Sequence, residues 1–217
     1  MMARPWIRRR DVVALLGGGA AAWRRGIGAA IGTALLVPHA AHAESVGSVA
    51  DVQGEAFAEA RAERRALYQT APLFINDVVA TGRSSRLTLR LGKDTTLRLG
   101  QEARLTVDRF LVDAGGEIEL QSGPILFDRP PRSNPSKMDI QSPFALISVR
   151  GTRFFAGPSA AAFGVFVQRG SVVVSGAGSR VLLRAGQGTD VKFPGAAPTP
   201  AAAWGPARIN AALASVE

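Results

Sequence analysis

The side chains best suited to chemistry are scarce in this sequence. His39 and His42 are its two histidines, and cysteine does not occur. Both histidines fall in an N-terminal stretch expected to be removed, so the mature chain would carry neither imidazole nor thiol. That takes away the Ser/His/Asp and Cys/His devices, zinc sites, disulfides and most general bases active near neutral pH. The carboxylates Asp94, Asp108, Asp113, Glu117, Glu119 and Asp139 remain. Two of them about 5 to 10 Å apart in a cleft could hydrolyse a glycosidic bond. Most sit beside basic or turn residues, where solvated charges belong, and the chain reads as non-enzymatic. Calcium at Asp113 and Glu117 would need a dense loop of oxygen ligands that the sequence does not supply, so no metal or cofactor is expected. Arg150 and Arg153 could form a fork for a carboxylate or phosphate. The alternative is structural: Val149-Arg150-Gly151-Thr152 would be a strand ending in a glycine turn, with Arg150 neutralised by a carboxylate and Thr152 bonded to backbone.

Charge narrows the partner. Of the net +9 over 217 residues, +5 lies in residues 1–43, from Arg4, Arg8, Arg9, Arg10, Arg24 and Arg25 against Asp11, which leaves +4 for the remainder. There the basic residues are interleaved with acidic ones, unlike the concentrated basic face of a nucleic-acid binder. No nucleic-acid partner is expected. Residues 1–43 themselves read as an export signal: arginines, then apolar and small residues, then a small-x-small cleavage site at Ala41-His42-Ala43. Arg9-Arg10-Asp11-Val12-Val13 is a partial match to the twin-arginine motif, and general secretion is the alternative. The apolar runs Val12 to Ala22 and Gly26 to Val37 each fall short of the ~18 to 20 residues that span a bilayer, so membrane contact is expected only during export. A mature start near Glu44 and a periplasmic or secreted location follow as expectations.

These sparse groups must be carried by strands. Arg86 to Leu91 alternates strictly and puts Leu87, Leu89 and Leu91 on one face. Leu97 with Leu99, and Leu105 with Val107, repeat the pattern. Further apolar runs follow to Val191–Phe193, and the fold class is all-β: many short antiparallel strands in a layered sandwich or coiled arrangement. Gly92 and Gly100 follow strands where a positive φ would suit glycine, and Gln168-Arg169-Gly170-Ser171 reads as a hairpin turn. Leu89 and Val173 are expected in the core. Ala56 to Tyr68 has helical composition and reads equally as a short helix or a surface excursion. Residues 128–137 form a Pro-rich loop. Residues 44–193 make one domain, and 194–217 a Pro/Ala-rich linker followed by a helix from Gly205, with Pro206 in its first turn and Ile209, Leu213 and Val216 on one side.

In order along the chain, these segments resemble the FecR domain family. The resemblance rests on Asn76-Asp77-Val78-Val79-Ala80-Thr81-Gly82 with Ser85-Arg86-Leu87, on Lys93-Asp94-Thr95-Thr96-Leu97-Arg98-Leu99-Gly100, on Ser142-Pro143-Phe144 through Val149-Arg150-Gly151-Thr152-Arg153-Phe154, and on Phe166 to Val174 including Gly170. It covers about residues 46 to 193. Where relatives have Asp-Gly-Thr this chain has Asp94-Thr95-Thr96, a turn to be made without glycine. The resemblance implies a sensory or protein-interaction module in envelope signalling, with an envelope protein as partner. Family regulators of sigma factors carry a cytoplasmic domain and membrane helix ahead of this region. Neither is evident here, so no anti-sigma domain of its own is expected. Glycan binding is the alternative, with Trp204 and Tyr68 as stacking surfaces.

Overall fold

The structure is a computed structural model in which residues 45–111, 115–131 and 138–217 are described. The export signal, with Arg9, Arg10, Ala41 and Ala43, lies outside them, as do Asp113 and most of the Pro-rich loop. Strands follow one another almost without pause. The first six are β1 (Ser45–Gln53), β2 (Ala56–Ala60), β3 (Glu63–Ala66), β4 (Pro72–Phe74), β5 (Val78–Thr81) and β6 (Arg86–Leu91). Then come β7 (Thr95–Leu99), β8 (Arg104–Leu111), β9 (Gly115–Ser122), β10 (Ile125–Asp128), β11 (Met138–Gln141) and β12 (Leu146–Val149). The last are β13 (Arg153–Ser159), β14 (Ala162–Arg169), β15 (Ser171–Gly176), β16 (Ser179–Arg184), β17 (Gln187–Val191), β18 (Ala202–Ala203) and the helix α1 (Pro206–Ala214).

The chain lays these down alternately into two nine-stranded sheets. Sheet I runs β18-β17-β14-β13-β10-β7-β6-β1-β4, and sheet II runs β16-β15-β12-β11-β9-β8-β5-β2-β3. Both grow in the same direction as the chain advances, which makes the architecture a coil of hairpins. Most excursions into the opposite sheet contain two strands and bring the chain back antiparallel. Between β9 and β11 the excursion is the single strand β10, and that pair is parallel.

Alternation fixes the core. Leu87, Leu89, Leu91, Leu97, Leu99, Leu105 and Val107 all face between the sheets and are essentially inaccessible. A second, smaller cluster lies on the other side of sheet I: Leu126, Phe155 and Phe166 point outward and are covered by Trp204, Ala212 and Val216, with Ile209 and Leu213 beside them. Central strands of sheet I are therefore apolar on both faces, which is why β10, β13 and β14 read as continuous apolar runs.

Several local expectations give way. Ala56 to Tyr68 is neither a helix nor a loose excursion but contains the hairpin β2–β3, turning at Arg61 (φ 49°) and Ala62 (φ 68°). Ala56 and Ala58 face the core while Phe57 and Glu59 face out, a period of two that overrides the helical composition. Gly170 does not close a hairpin, because β14 and β15 belong to different sheets; it makes a crossover. Gly100 has no positive φ. A Cβ there would meet the Ser215 carbonyl oxygen at 2.1 Å and Pro124 Cγ at 2.7 Å, so its role is close approach. The turn after β6 is not free of glycine either: Gly92 takes the positive φ (56°), and Thr95 already belongs to β7. Val173 lies on the outer face of sheet II, and its neighbours Val172 and Val174 fill the core. The stretch after Phe193 packs on sheet I instead of hanging free: β18 pairs with β17, and the Thr199 N–H donates to the Asp190 carbonyl at 2.9 Å.

Candidate functional site

The residues singled out by motif are dispersed among corners and core. Thr81 makes one corner, its hydroxyl donating to the Gly100 carbonyl at 2.6 Å and accepting from the Ala103 N–H at 2.9 Å. Beside it the Gly82 N–H donates to the Glu55 carbonyl, and Ser85 Oγ accepts from the Glu55 N–H at 2.9 Å. At a second corner, Thr152 is fully buried and its hydroxyl donates to the Ser171 carbonyl at 2.9 Å. Gly151 (φ 60°) and Gly170 (φ 82°) stack there so closely that a Cβ on Gly170 would lie 2.8 Å from the Gly151 oxygen. At the opposite end Ser142 Oγ accepts from the Ala145 N–H at 3.0 Å and shapes the turn carrying Pro143 and Phe144. Leu87, Leu97, Val149 and Phe154 fill the core, and Asp94 is exposed in its turn. Buried hydroxyls at the corners satisfy backbone groups where a strand leaves one sheet for the other.

The arginine fork does not form. Arg153 is engaged, donating to Asp128 Oδ2 and Glu217 Oε1, each at 3.0 Å, and to Gln168 Oε1 at 2.7 Å. Arg150 lies exposed at the end of β12 and, among the described residues, has no carboxylate to neutralise it. No group of three or more His, Cys, Asp or Glu among the described residues is placed to hold a metal.

The outer faces of the two sheets differ. On sheet I, Trp204 stacks on Phe166 (centroids 5.2 Å apart) under the guanidinium of Arg208, 3.6 Å from its ring. Arg208 in turn pairs with Asp190. Arg86 donates to the Ala214 carbonyl at 3.0 Å, capping the C-terminal end of α1, and Arg98 and Arg153 hold Glu217 at 3.4 and 3.0 Å. Thr96 stands on this face opposite Arg90. Sheet II shows a polar outer face, with Arg104 bonded to Glu59 and Gln121 and with Ser148 donating to Asp139 at 2.7 Å. Its last three strands break that pattern. Leu182 on β16 is directly opposite Val173 on β15, and Leu146 on β12 lies diagonally from Val173, whose direct neighbour on β12 is Ser148. The three make a diagonal apolar stripe, with Leu146 and Leu182 37% and 51% exposed. At the Ser142 end a groove of about 370 Å³ opens between Pro143, Phe144, Pro158, Ala162 and Phe163, with exposed Lys192 at its rim.

Residues 77–173 match the family model described as FecR protein. The chain carries a FecR domain. No curated protein matches it. A solved structure of a proposed anti-sigma factor from Parabacteroides distasonis superposes with a TM-score of 0.54 at 14% identity, over 63% of this chain and 64% of that one. A second structure of the same description gives 0.54 and 14% over 63% of each. The shared portion is less than two thirds of that protein, and at such identity the likeness is one of fold. The FecR match begins at Asp77, just before β5, and ends at Val173 in β15. Leu146 and Val173 thus belong to the matched segment, whereas Leu182, the β16 edge and the covering tail lie beyond it.

Sequence reasoning missed the stripe, because isolated leucines on strands read as core. It also missed Asp77 as a structural centre: the carboxylate is fully buried, pairs with Arg65 and accepts from the Phe74 N–H at 2.8 Å. Trp204, one of the two rings that could stack a sugar, is 8% exposed. Tyr68 and Phe193, 65% and 62% exposed, are the large aromatic side chains open to a sugar among the described residues.

Proposed function

We propose that this FecR-domain chain is an exported, non-catalytic interaction module that serves envelope signalling or regulation by docking a protein partner on the outer face of sheet II. The observation carrying this reading is the Leu146–Val173–Leu182 stripe, left open on one sheet while the equivalent apolar centre of the other sheet is covered by the chain's own tail. Exposed apolar side chains grouped on a mostly polar face are what partner surfaces use for affinity, with surrounding charges setting specificity. A regulatory role accords with the FecR match and with the anti-sigma description of the structural neighbour. Location in the envelope rests on the arginine-led, small-x-small N-terminal segment.

Cross-linking in intact cells, with mass spectrometry and N-terminal sequencing of the same sample, tests the proposal. It predicts a discrete envelope partner, cross-links that map to β12, β15 or β16, and a chain starting near Glu44. A chain that retains its N-terminus and yields no partner above background would overturn it.

A further inference from the structure

Sheet ends are where a β-rich module can be extended by another chain, and the four ends here are not alike. β4 is three residues long and contains Pro72, β18 is two residues, and β3 (Glu63–Ala66) is four residues of which three are charged. Short, proline-bearing and charged edges are the usual protection against unwanted strand pairing. β16 lacks the first two of these devices. It is six residues long, contains no proline, and keeps unbroken register with β15 from Ser171↔Arg184 to Gly176↔Ser179.

The turn fixes which backbone groups are free. Ala177 (φ 47°) and Gly178 (φ 74°) form a two-residue turn with both central residues at positive φ. A two-residue hairpin of this kind closes on a hydrogen-bonded pair, here Gly176–Ser179. Val181 and Leu183 are then the other residues bonded to β15, and Arg180, Leu182 and Arg184 turn their N–H and C=O groups to the open edge. Gln187 Oε1 already meets the outward Arg184 N–H at 2.9 Å. The N–H and C=O groups of Arg180 and Leu182 remain for another strand. The side chains of these three residues are exposed, and neither arginine has an acidic partner among the described residues.

We infer that β16 is a strand-addition site for an extended segment of a partner protein whose alternate side chains run acidic, apolar, acidic, antiparallel to β16, with the apolar residue opposite Leu182 and the acids opposite Arg180 and Arg184. This rests on the interaction-module reading above and names the partner's chemistry. Main-chain bonds would supply affinity, and the Arg-Leu-Arg pattern would supply choice. A second copy of this chain fits poorly: a two-fold pairing centred on Leu182 sets Arg180 against Arg184 twice, and like charges directly opposite are destabilising.

The test uses the full chain and two synthetic heptapeptides, Thr-Glu-Thr-Val-Thr-Glu-Thr and its Lys-for-Glu counterpart, at millimolar concentration. Site-resolved amide hydrogen exchange should slow at Arg180 and Leu182 by at least about tenfold with the acidic peptide, as expected for newly paired edge amides, and stay unchanged with the basic one. In the double variant Arg180→Glu/Arg184→Glu, both on the surface, the preference should reverse. No slowing with the acidic peptide, equal slowing with both, or slowing that follows the chain's own concentration would each overturn the inference; the last would mean self-pairing. The double variant in the cross-linking experiment separates the two claims. A partner captured by the wild type and equally by the variant removes the edge and leaves the module reading standing, whereas a partner lost only in the variant supports both.

Discussion

The outer faces of sheets I and II are made by the same alternation of strands, yet one is finished by the chain itself and the other is not. On sheet I the outward residues of β10, β13 and β14 are Leu126, Phe155 and Phe166, too large an apolar surface to leave in water, and a tail with Trp204 and α1 closes over them. Three arginines, Arg86, Arg98 and Arg153, then fasten the end of that tail. On sheet II the outward residues are mostly charged or polar; Phe57 on β2 faces out but lies under the guanidinium of Arg64, 3.5 Å from its ring, and Val78 lies beside outward Glu59. Leu146, Val173 and Leu182 are the outward apolar residues beside the open β16 edge. The contrast separates apolar surface that serves folding from apolar surface that remains for contact.

Substitutions at matched depths break or sharpen this contrast. Leu89→Asp would place an unpaired charge between the sheets, where Leu89 is inaccessible, and should abolish folding, seen as loss of soluble protein and of the urea transition. Trp204→Ala should cost about 3 to 5 kcal/mol in urea unfolding, because the tail loses its largest buried side chain. A cost near zero would mean that the tail does not finish sheet I. Asp77→Ala tests the far edge of sheet II, where Asp77 pins Arg65 of β3 and caps the Phe74 N–H. Removing the carboxylate that holds both the Phe74 N–H and Arg65 should cost about 1 to 3 kcal/mol, measurable in the same unfolding experiment. Val173→Asp should cost the least, under about 0.5 kcal/mol as a change on a strand's solvent face, while removing partner binding.

How much of this was legible follows from the residues themselves. Strict alternation over Leu87-Leu89-Leu91 and Leu97-Leu99 specified strand, face and core at once, because a period of two leaves no other assignment. Val172-Val173-Val174 is uniformly β-branched, carries no period, and gave no means of choosing the inward residues. Ala56 to Tyr68 was ambiguous because Ala, Glu and Arg favour helix locally, whereas the pairing of β2 with β5 and β3 is a tertiary contact. Glycines announced corners but not their reason: Gly100 answers to the approach of Ser215 and Pro124, across more than a hundred residues of chain in the first case. Trp204 sits in an Ala- and Pro-rich stretch whose composition resembles a linker, and its partners Phe155 and Phe166 are distant in sequence. For the candidate site, the motif residues were legible as a family signature, but their structural roles, and the exposure of Leu146 and Leu182, depend on which sheet each strand joins.

The central claim is that sheet II, and not sheet I, meets the partner. The most direct test is quantitative cross-linking in intact cells of three forms of the chain: wild type, Val173→Asp on the open face of sheet II, and Arg90→Glu on the outer face of sheet I, each shown to be folded by its unfolding transition. The account predicts that capture of the partner falls by at least about tenfold for Val173→Asp, the loss expected when a charge enters the centre of an apolar contact, and is unchanged for Arg90→Glu. Undiminished capture with Val173→Asp, or a loss confined to Arg90→Glu, would contradict it.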